Sequence, residues 1–173
     1  MSIEHKMGNL LDFEHGITMI AHCANCQNTF GSGIALQIKE EYPVAYEADC
    51  EAAKQEKNKL GLFSVATLPN NKKIVNLYAQ NLFGMDKRQL DYEAFYIAME
   101  ELHRLLLLAH EKGRTHVLGI PKNIGCFRAG GSWRVVYAML EEIFLDSPIK
   151  LVIVEYVKKE NKKDAEKNYK DRQ

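Results

Sequence analysis

Residues 17–38 set the strongest constraint on the fold. An apolar, β-branched run (Ile17, Thr18, Met19, Ile20, Ala21) leads through a polar loop from His22 to Gly33 into a helical pattern opening at Ile34. The unit reads as buried strand, loop and helix. Gly31 and Gly33 flank Ser32 where the helix starts, so backbone N–H groups can approach a ligand closely and point at it with the positive end of the helix dipole. That is an anion cradle. His22, Asn25 and Asn28 precede it, side chains able to hydrogen-bond sugar hydroxyls or, for histidine, to move a proton. Phosphate plus sugar points to a nucleotide-like ligand.

Two familiar phosphate-binding motifs are excluded. No Gly-Lys-Ser/Thr follows the glycines, and the Gly-x-Gly-x-x-Gly spacing is missing. A second glycine-rich segment, Ile120 through Gly125, Gly130 and Gly131 to Trp133, also joins an apolar strand to a helix. Two such loops can clasp one ligand.

At 173 residues the chain has the length of one domain with a real core. Its 23 basic and 23 acidic residues balance, so no net field draws in nucleic acid or an anionic membrane. No apolar run approaches the roughly 20 residues of a membrane span, and the first residues hold no signal-peptide core. A cytoplasmic monomer without general nucleic-acid binding is expected. Cys23 and Cys26 form a lone C-x-x-C that lacks the second pair of a zinc site and does not open a helix directly, as a thioredoxin-type motif would. Both are read as small residues of a tight loop. No metal and no cofactor is implied.

Taken in order, the pattern predicts an edge strand at 3–7, a turn at 8–12 and a strand at 17–22. A helix over 34–42 is interrupted at Pro43 and resumes over 44–57. A hairpin follows, with strands 61–68 and 73–79, then a glycine-containing loop at 80–90 that can lie over a site. Asp91 caps a long helix to about Lys112, whose inner stripe is read as Ala94, Ile97, Ala98, Leu102, Leu105 and Leu108. A strand at 115–120, a helix from Trp133 to about Leu145 and a strand at 150–156 complete the domain. Residues 158–173 are a charged tail with little apolar content, expected to be poorly ordered. Alternating strands and helices predict an α/β fold: a mixed, mainly parallel sheet covered on both sides, with ligands bound outside the carboxyl ends of the strands.

These residues resemble a macro domain, the ADP-ribose-binding module, over nearly the whole chain to Tyr156. The likeness rests on Gly8-Asn9-Leu10-Leu11, the stretch from His22 to Ala35, the stretch from Ile120 to Trp133, and the final strand from Leu151 to Tyr156. The pattern His-x-x-Asn-Cys-x-x-x-x-Gly-Ser-Gly-Ile-Ala followed by Tyr-Pro is similar to the branch of ADP-ribose 1″-phosphate phosphatases, phage versions included. The resemblance implies a three-layer α/β/α macro domain over residues 1–157 that binds ADP-ribose and releases phosphate from ADP-ribose 1″-phosphate, a hydrolase of nucleotide metabolism.

By that resemblance Gly8, Asn9 and Leu10 hold the adenine edge and Tyr156 stacks on the adenine. Cys23, Ala24 and Asn25 lie at the distal ribose. Phe30, Gly31, Ser32, Gly33, Ile34 and Ala35 take the diphosphate. Ile124, Gly125, Cys126, Phe127, Arg128, Ala129 and Gly130 run along diphosphate and distal ribose. His22 is the expected proton-transfer residue, with Asn25 orienting ribose or water. Arg128 offers a fork of donors for a terminal phosphate. A related branch that removes ADP-ribose from glutamate carries a lysine and an aspartate where this chain has Gln80 and Ala129. Hydrolysis by a lysine route is therefore disfavoured. Two alternatives stand beside the phosphatase: a module that holds ADP-ribose without turnover, and an ADP-ribosyl hydrolase acting on modified protein or nucleic acid.

Overall fold

The computed structural model describes residues 2–158. The charged tail expected over 158–173 lies, apart from Lys158, outside the described residues. Six strands form one sheet: β1 (Ile3–Gly8), β2 (Met19–Asn25), β3 (Phe63–Thr67), β4 (Lys73–Gln80), β5 (Val117–Pro121) and β6 (Lys150–Tyr156). Their order is β1-β6-β5-β2-β4-β3, every neighbouring pair parallel except the antiparallel β3–β4 hairpin. Five strands therefore end on one edge of the sheet, and Gly8, Tyr156, Pro121, Asn25 and Gln80 mark that edge.

Four helices cover the sheet: α1 (Gly33–Glu41), α2 (Pro43–Gln55), α3 (Tyr92–Glu111) and α4 (Trp133–Phe144). Strand alternation sends side chains to two separate cores. One packs Val75, Leu77, Leu118, Ile120 and Ile153 under Phe95 and Met99 of α3 and Val136, Leu140 and Phe144 of α4. The other packs Ile20, Ile74, Tyr78, Val152 and Val154 under Ile38 of α1 and Ala45 of α2, closed at one end by Leu10, Leu11 and Ile17. The result is a three-layer α/β/α fold. Gly119 in β5 makes the close approach possible, because a Cβ there would lie 2.8–2.9 Å from Ile17 and Leu10.

Three details depart from the sequence reading. Strand β2 ends at Asn25 rather than at 22, because β4 continues alongside it and pairs its backbone as far as Gln80. Pro43 starts α2 at its first turn, where the missing N–H costs nothing, so the interruption is also a beginning. On α3 the buried stripe is Ala94, Phe95, Ala98, Met99, Leu102 and Leu106, whereas Ile97, Leu105 and Leu108 are exposed. The four consecutive leucines at 105–108 blur the helical phase, and packing of Phe95 and Met99 sets it instead. Asp91 caps α3 as expected, its carboxylate accepting from Ala94 N–H at 2.9 Å. Among the described residues no helix is long and apolar enough to cross a membrane.

Candidate functional site

A cavity of about 570 Å³ opens at the carboxyl edge of β2, β4 and β5. Its floor is the end of β2 (Cys23, Ala24, Asn25). One wall is the first glycine loop and the start of α1 (Gly31 to Ala35), and the opposite wall is the second loop (Ile124, Gly125, Phe127, Arg128, Ala129). Both glycine segments thus face one space. Ser32, the N-cap of α1, makes no side-chain cap bond, so the first-turn N–H groups of Gly33, Ile34 and Ala35 keep their donor capacity at the cavity. Arg128 bridges the two walls. Its Cδ and Nε lie 3.5 Å from where a Cβ on Gly33 would sit, which places a guanidinium stem across the helix start.

The first loop is held from behind. The side chain of Asn25 is spent on it: Oδ1 accepts from Gln27 N–H at 2.9 Å and Thr29 N–H at 3.3 Å, and Nδ2 donates to the Thr29 carbonyl at 2.8 Å. Asn28 donates to the Asp49 carbonyl of α2, and Tyr46 donates back to the Asn28 carbonyl. Phe30 is buried between Tyr46 and His22, with ring centroids 5.3 and 5.4 Å away.

His22 is fully buried and does not line the cavity. On β2 it alternates with Cys23 and so points to the α1/α2 side. Asn76 donates to the Ala45 carbonyl and to Ser64, which leaves its Oδ1 to accept from His22 Nε2–H at 2.7 Å. Burial, opposed by this hydrogen bond, depresses the pKa of His22 below its ordinary value near 6.5. The imidazole stays neutral and orders the strand end and Phe30. The unfolded chain protonates that histidine around pH 6.5 and the folded chain only lower, so its contribution is present above that value and fades as pH falls. The unfolding free energy from denaturant titration should fall on going from pH 7.5 to 5, with a His22 share of up to about 1.4 kcal/mol per pH unit at the steepest. Burial also lowers His103 and His116, so the His22 share is the part of the slope that vanishes in His22→Gln.

Asn25 lines the cavity with its amide oxygen accepting from Gln27 and Thr29 N–H and one of its two amide protons given to the Thr29 carbonyl. Phe30 and Leu10 are core residues, 2% and 5% exposed, and present no side chain to a ligand. Cys126 turns its thiol to the Ile124 carbonyl, and neither it nor Gly130 lines the cavity. Burial raises the Cys126 thiol to about 11 and raises Cys23 further, with Cys126 adding to it, so both remain protonated. Gly8, Asn9 and Tyr156 form a separate group on the same edge: Gly8 pairs with Tyr156 in register, and Asn9 Oδ1 accepts from Leu11 N–H, capping a short 3₁₀ turn. Among the described residues no group of three or more His, Cys, Asp or Glu is placed to hold a metal ion.

The cavity also contains residues the sequence reading did not assign to it. Thr29, Pro121, Lys122 and Asn123 come from the two glycine segments themselves. Lys122 pairs with Glu155 at 2.7 Å. Gln80 is the last residue of β4, and Phe83, Gly84 and Met85 come from the loop after it, whose polar, glycine-containing character was its one signal. That loop is stitched to the second glycine loop. Gln89 and Leu90 N–H both donate to the Ala129 carbonyl, and Leu90 fills the space beside Gly125 and Gly131.

No protein-family model matches the chain. Over 44 residues, 25% of this chain and only 17% of the relative, it is 49% identical to the ADP-ribose 1″-phosphate phosphatase of Ajellomyces capsulatus. It is 29% identical over 141 residues, 79% of this chain and 85% of the other, to an uncharacterized 17.5 kDa protein of the tk-vs intergenic region of Enterobacteria phage T4. Among solved structures, a Bacteroides thetaiotaomicron protein of unknown function superposes with TM-score 0.74, at 21% identity over 90% of this chain and 99% of that one. The macrodomain of Mycobacterium tuberculosis DarG does so with TM-score 0.69, at 24% identity over 88% and 96%. Thermosipho africanus DarTG in complex with ADP-ribose gives TM-score 0.65, at 15% identity over 86% and 40%. The fold is thus a three-layer sandwich with a cavity between two glycine loops at the carboxyl edge of its sheet. It is the macrodomain fold.

Proposed function

We propose that this chain binds ADP-ribose along the carboxyl edge of its sheet. The observation that carries the reading is the two-sided cradle: the uncapped start of α1 on one wall, the second glycine loop on the other, and Arg128 across both. Both walls offer hydrogen-bond donors to a diphosphate, which only accepts. The same edge continues past Pro121 and Lys122 to Asn9 and Tyr156, a platform for the adenine, while Cys23, Ala24 and Gln80 border the far ribose. The ADP-ribose complex of a protein with this fold supports the reading. Calorimetric titration with ADP-ribose should give one site per chain, weakened about tenfold in Arg128→Ala. No heat and no thermal shift with ADP-ribose would overturn it.

A second reading, phosphate release from ADP-ribose 1″-phosphate, is favoured by the short 49% match to the fungal phosphatase. Proton transfer by His22 does not fit it, because that ring is sealed behind Phe30. Phosphate released by wild-type protein supports an enzyme. Binding of ADP-ribose without release supports a module that holds it. A panel of ADP-ribosylated protein and nucleic acid tests the remaining hydrolase alternative.

A further inference from the structure

The two outer strands of the sheet are built differently. β1 carries Glu4, His5 and Lys6, polar and charged side chains that blunt an exposed strand against pairing with another chain. β3, at the opposite edge, has no such protection: residues 60–71 contain no Asp, Glu, Lys, Arg or His. One side of β3 is spent on β4, where the Leu62 carbonyl accepts from Tyr78 N–H at 3.0 Å and Leu68 N–H donates to the Lys72 carbonyl at 2.8 Å. Hydrogen-bonded pairs alternate along an antiparallel register, so Ser64 and Ala66 also face β4, and the N–H and carbonyl groups of Phe63, Val65 and Thr67 point off the sheet. Among the described residues no strand pairs with that side.

We propose that the β3 edge is the interface of a two-fold dimer, in which β3 pairs antiparallel with β3 of a second copy of this chain about an axis at Val65. The outward groups select that occupant and that register. With Val65 against the partner's Val65, Phe63 meets the partner's Thr67 and Thr67 the partner's Phe63, so each outward donor and acceptor finds its complement and none is left over. Two copies do not repel one another there, because the segment is uncharged and the whole chain balances 23 basic against 23 acidic residues. The flank of α3 extends the surface. Ile97 Cγ2 lies 3.9 Å from where a Cβ on Gly61 would sit, which sets this helix beside the start of β3. Ile97, Leu105 and Leu108 recur at helical spacing on that flank and are exposed, as is Val65. The charges of Glu101 and Arg104 between them are neutralised in a pair at 2.6 Å. Strand pairing alone is a small contact, and the two apolar flanks brought together by the same axis supply the burial a stable dimer needs. A dimer takes the place of the monomer expected from composition.

Sedimentation equilibrium of the full chain between about 1 and about 200 μM tests the proposal. The wild-type mass should rise with concentration from 19.8 kDa, that of one chain, toward twice that value. Val65→Lys sets two ammonium groups face to face on the axis and should weaken association at least tenfold, whereas Val65→Thr, neutral and β-branched, should keep it. Leu105→Lys should weaken it through the helix flank with β3 untouched. Circular dichroism matching wild type shows that each variant is folded. Amide exchange reads the geometry: Phe63, Val65 and Thr67 N–H should slow as the dimer forms and speed up again in Val65→Lys, while Ser64 and Ala66 N–H stay protected by β4 throughout. A wild type that stays monomeric over the whole range overturns the proposal. So does a dimer that persists unweakened in Val65→Lys, or one in which the Phe63 and Thr67 amides exchange as fast as in the monomer.

Discussion

Lys59→Met should lower the unfolding free energy by about 3–5 kcal/mol, the largest single effect expected in this chain. The ammonium of Lys59 lies 2.6 Å from Asp49, with side chains 3% and 0% exposed, and 4.3 Å from the ring centroid of Tyr78. Removing it leaves a carboxylate in the core between α2 and the sheet with no cation to offset its desolvation. Replacing both partners should behave differently: Asp49→Leu with Lys59→Met removes the two desolvation costs together and should recover most of the loss. Equilibrium denaturation in urea measures all three variants. A single variant within about 1 kcal/mol of wild type would mean that water or another cation reaches Asp49. The pair also supports the cradle at a distance, since Asp49 receives Asn28 on its carbonyl and so ties α2 to the first loop.

The second large effect is expected at Gly131. A Cβ there would lie 2.3 Å from Leu90 Cδ2 and 2.8 Å from the Gly125 carbonyl oxygen. Leu90 is 1% exposed and the carbonyl belongs to the backbone, so neither can step aside cheaply. Gly131→Ala must push the second loop or the 89–91 backbone outward. Overpacking of this kind costs about 1–3 kcal/mol. Because the displaced loop is one wall of the cavity, affinity for ADP-ribose should fall at least tenfold, about 1.4 kcal/mol. A melting temperature and an affinity both equal to wild type would show that this packing has slack.

The fold was largely legible because periodicity speaks about local chain direction, and here local direction and tertiary packing agree. The hairpin of β3 and β4, the cap at Asp91 and the final strand at 150–156 all follow from residue patterns a few positions long. Ile97, Leu105 and Leu108 were misplaced because a leucine-rich turn satisfies more than one helical phase, and only the packing of Phe95 and Met99 chooses between them. Around the cavity, the placement of Gly31, Ser32, Gly33, Gly125 and Arg128 was readable because backbone access and charge are properties of the residue itself. His22 was not. Which way its ring points depends on where β2 begins its alternation, and an imidazole beside Asn76 is as well satisfied inside the protein as at a ligand. Phe83 and Met85 escaped because the 80–90 loop is held by Leu90 docking beside Gly125 and Gly131, a contact with no trace in the local sequence.

That docking has a mechanical side. The early loop is rooted through Phe30 in the core beneath α1 and α2, while the late loop is rooted through Ile124, Ala129 and Leu90 in the core beneath α3 and α4. The two jaws belong to opposite layers, with the sheet between them and the Arg128 stem reaching across the gap. Any molecule gripped by both becomes a crosspiece joining one half of the sandwich to the other, so occupancy tightens the whole body and not merely the rim.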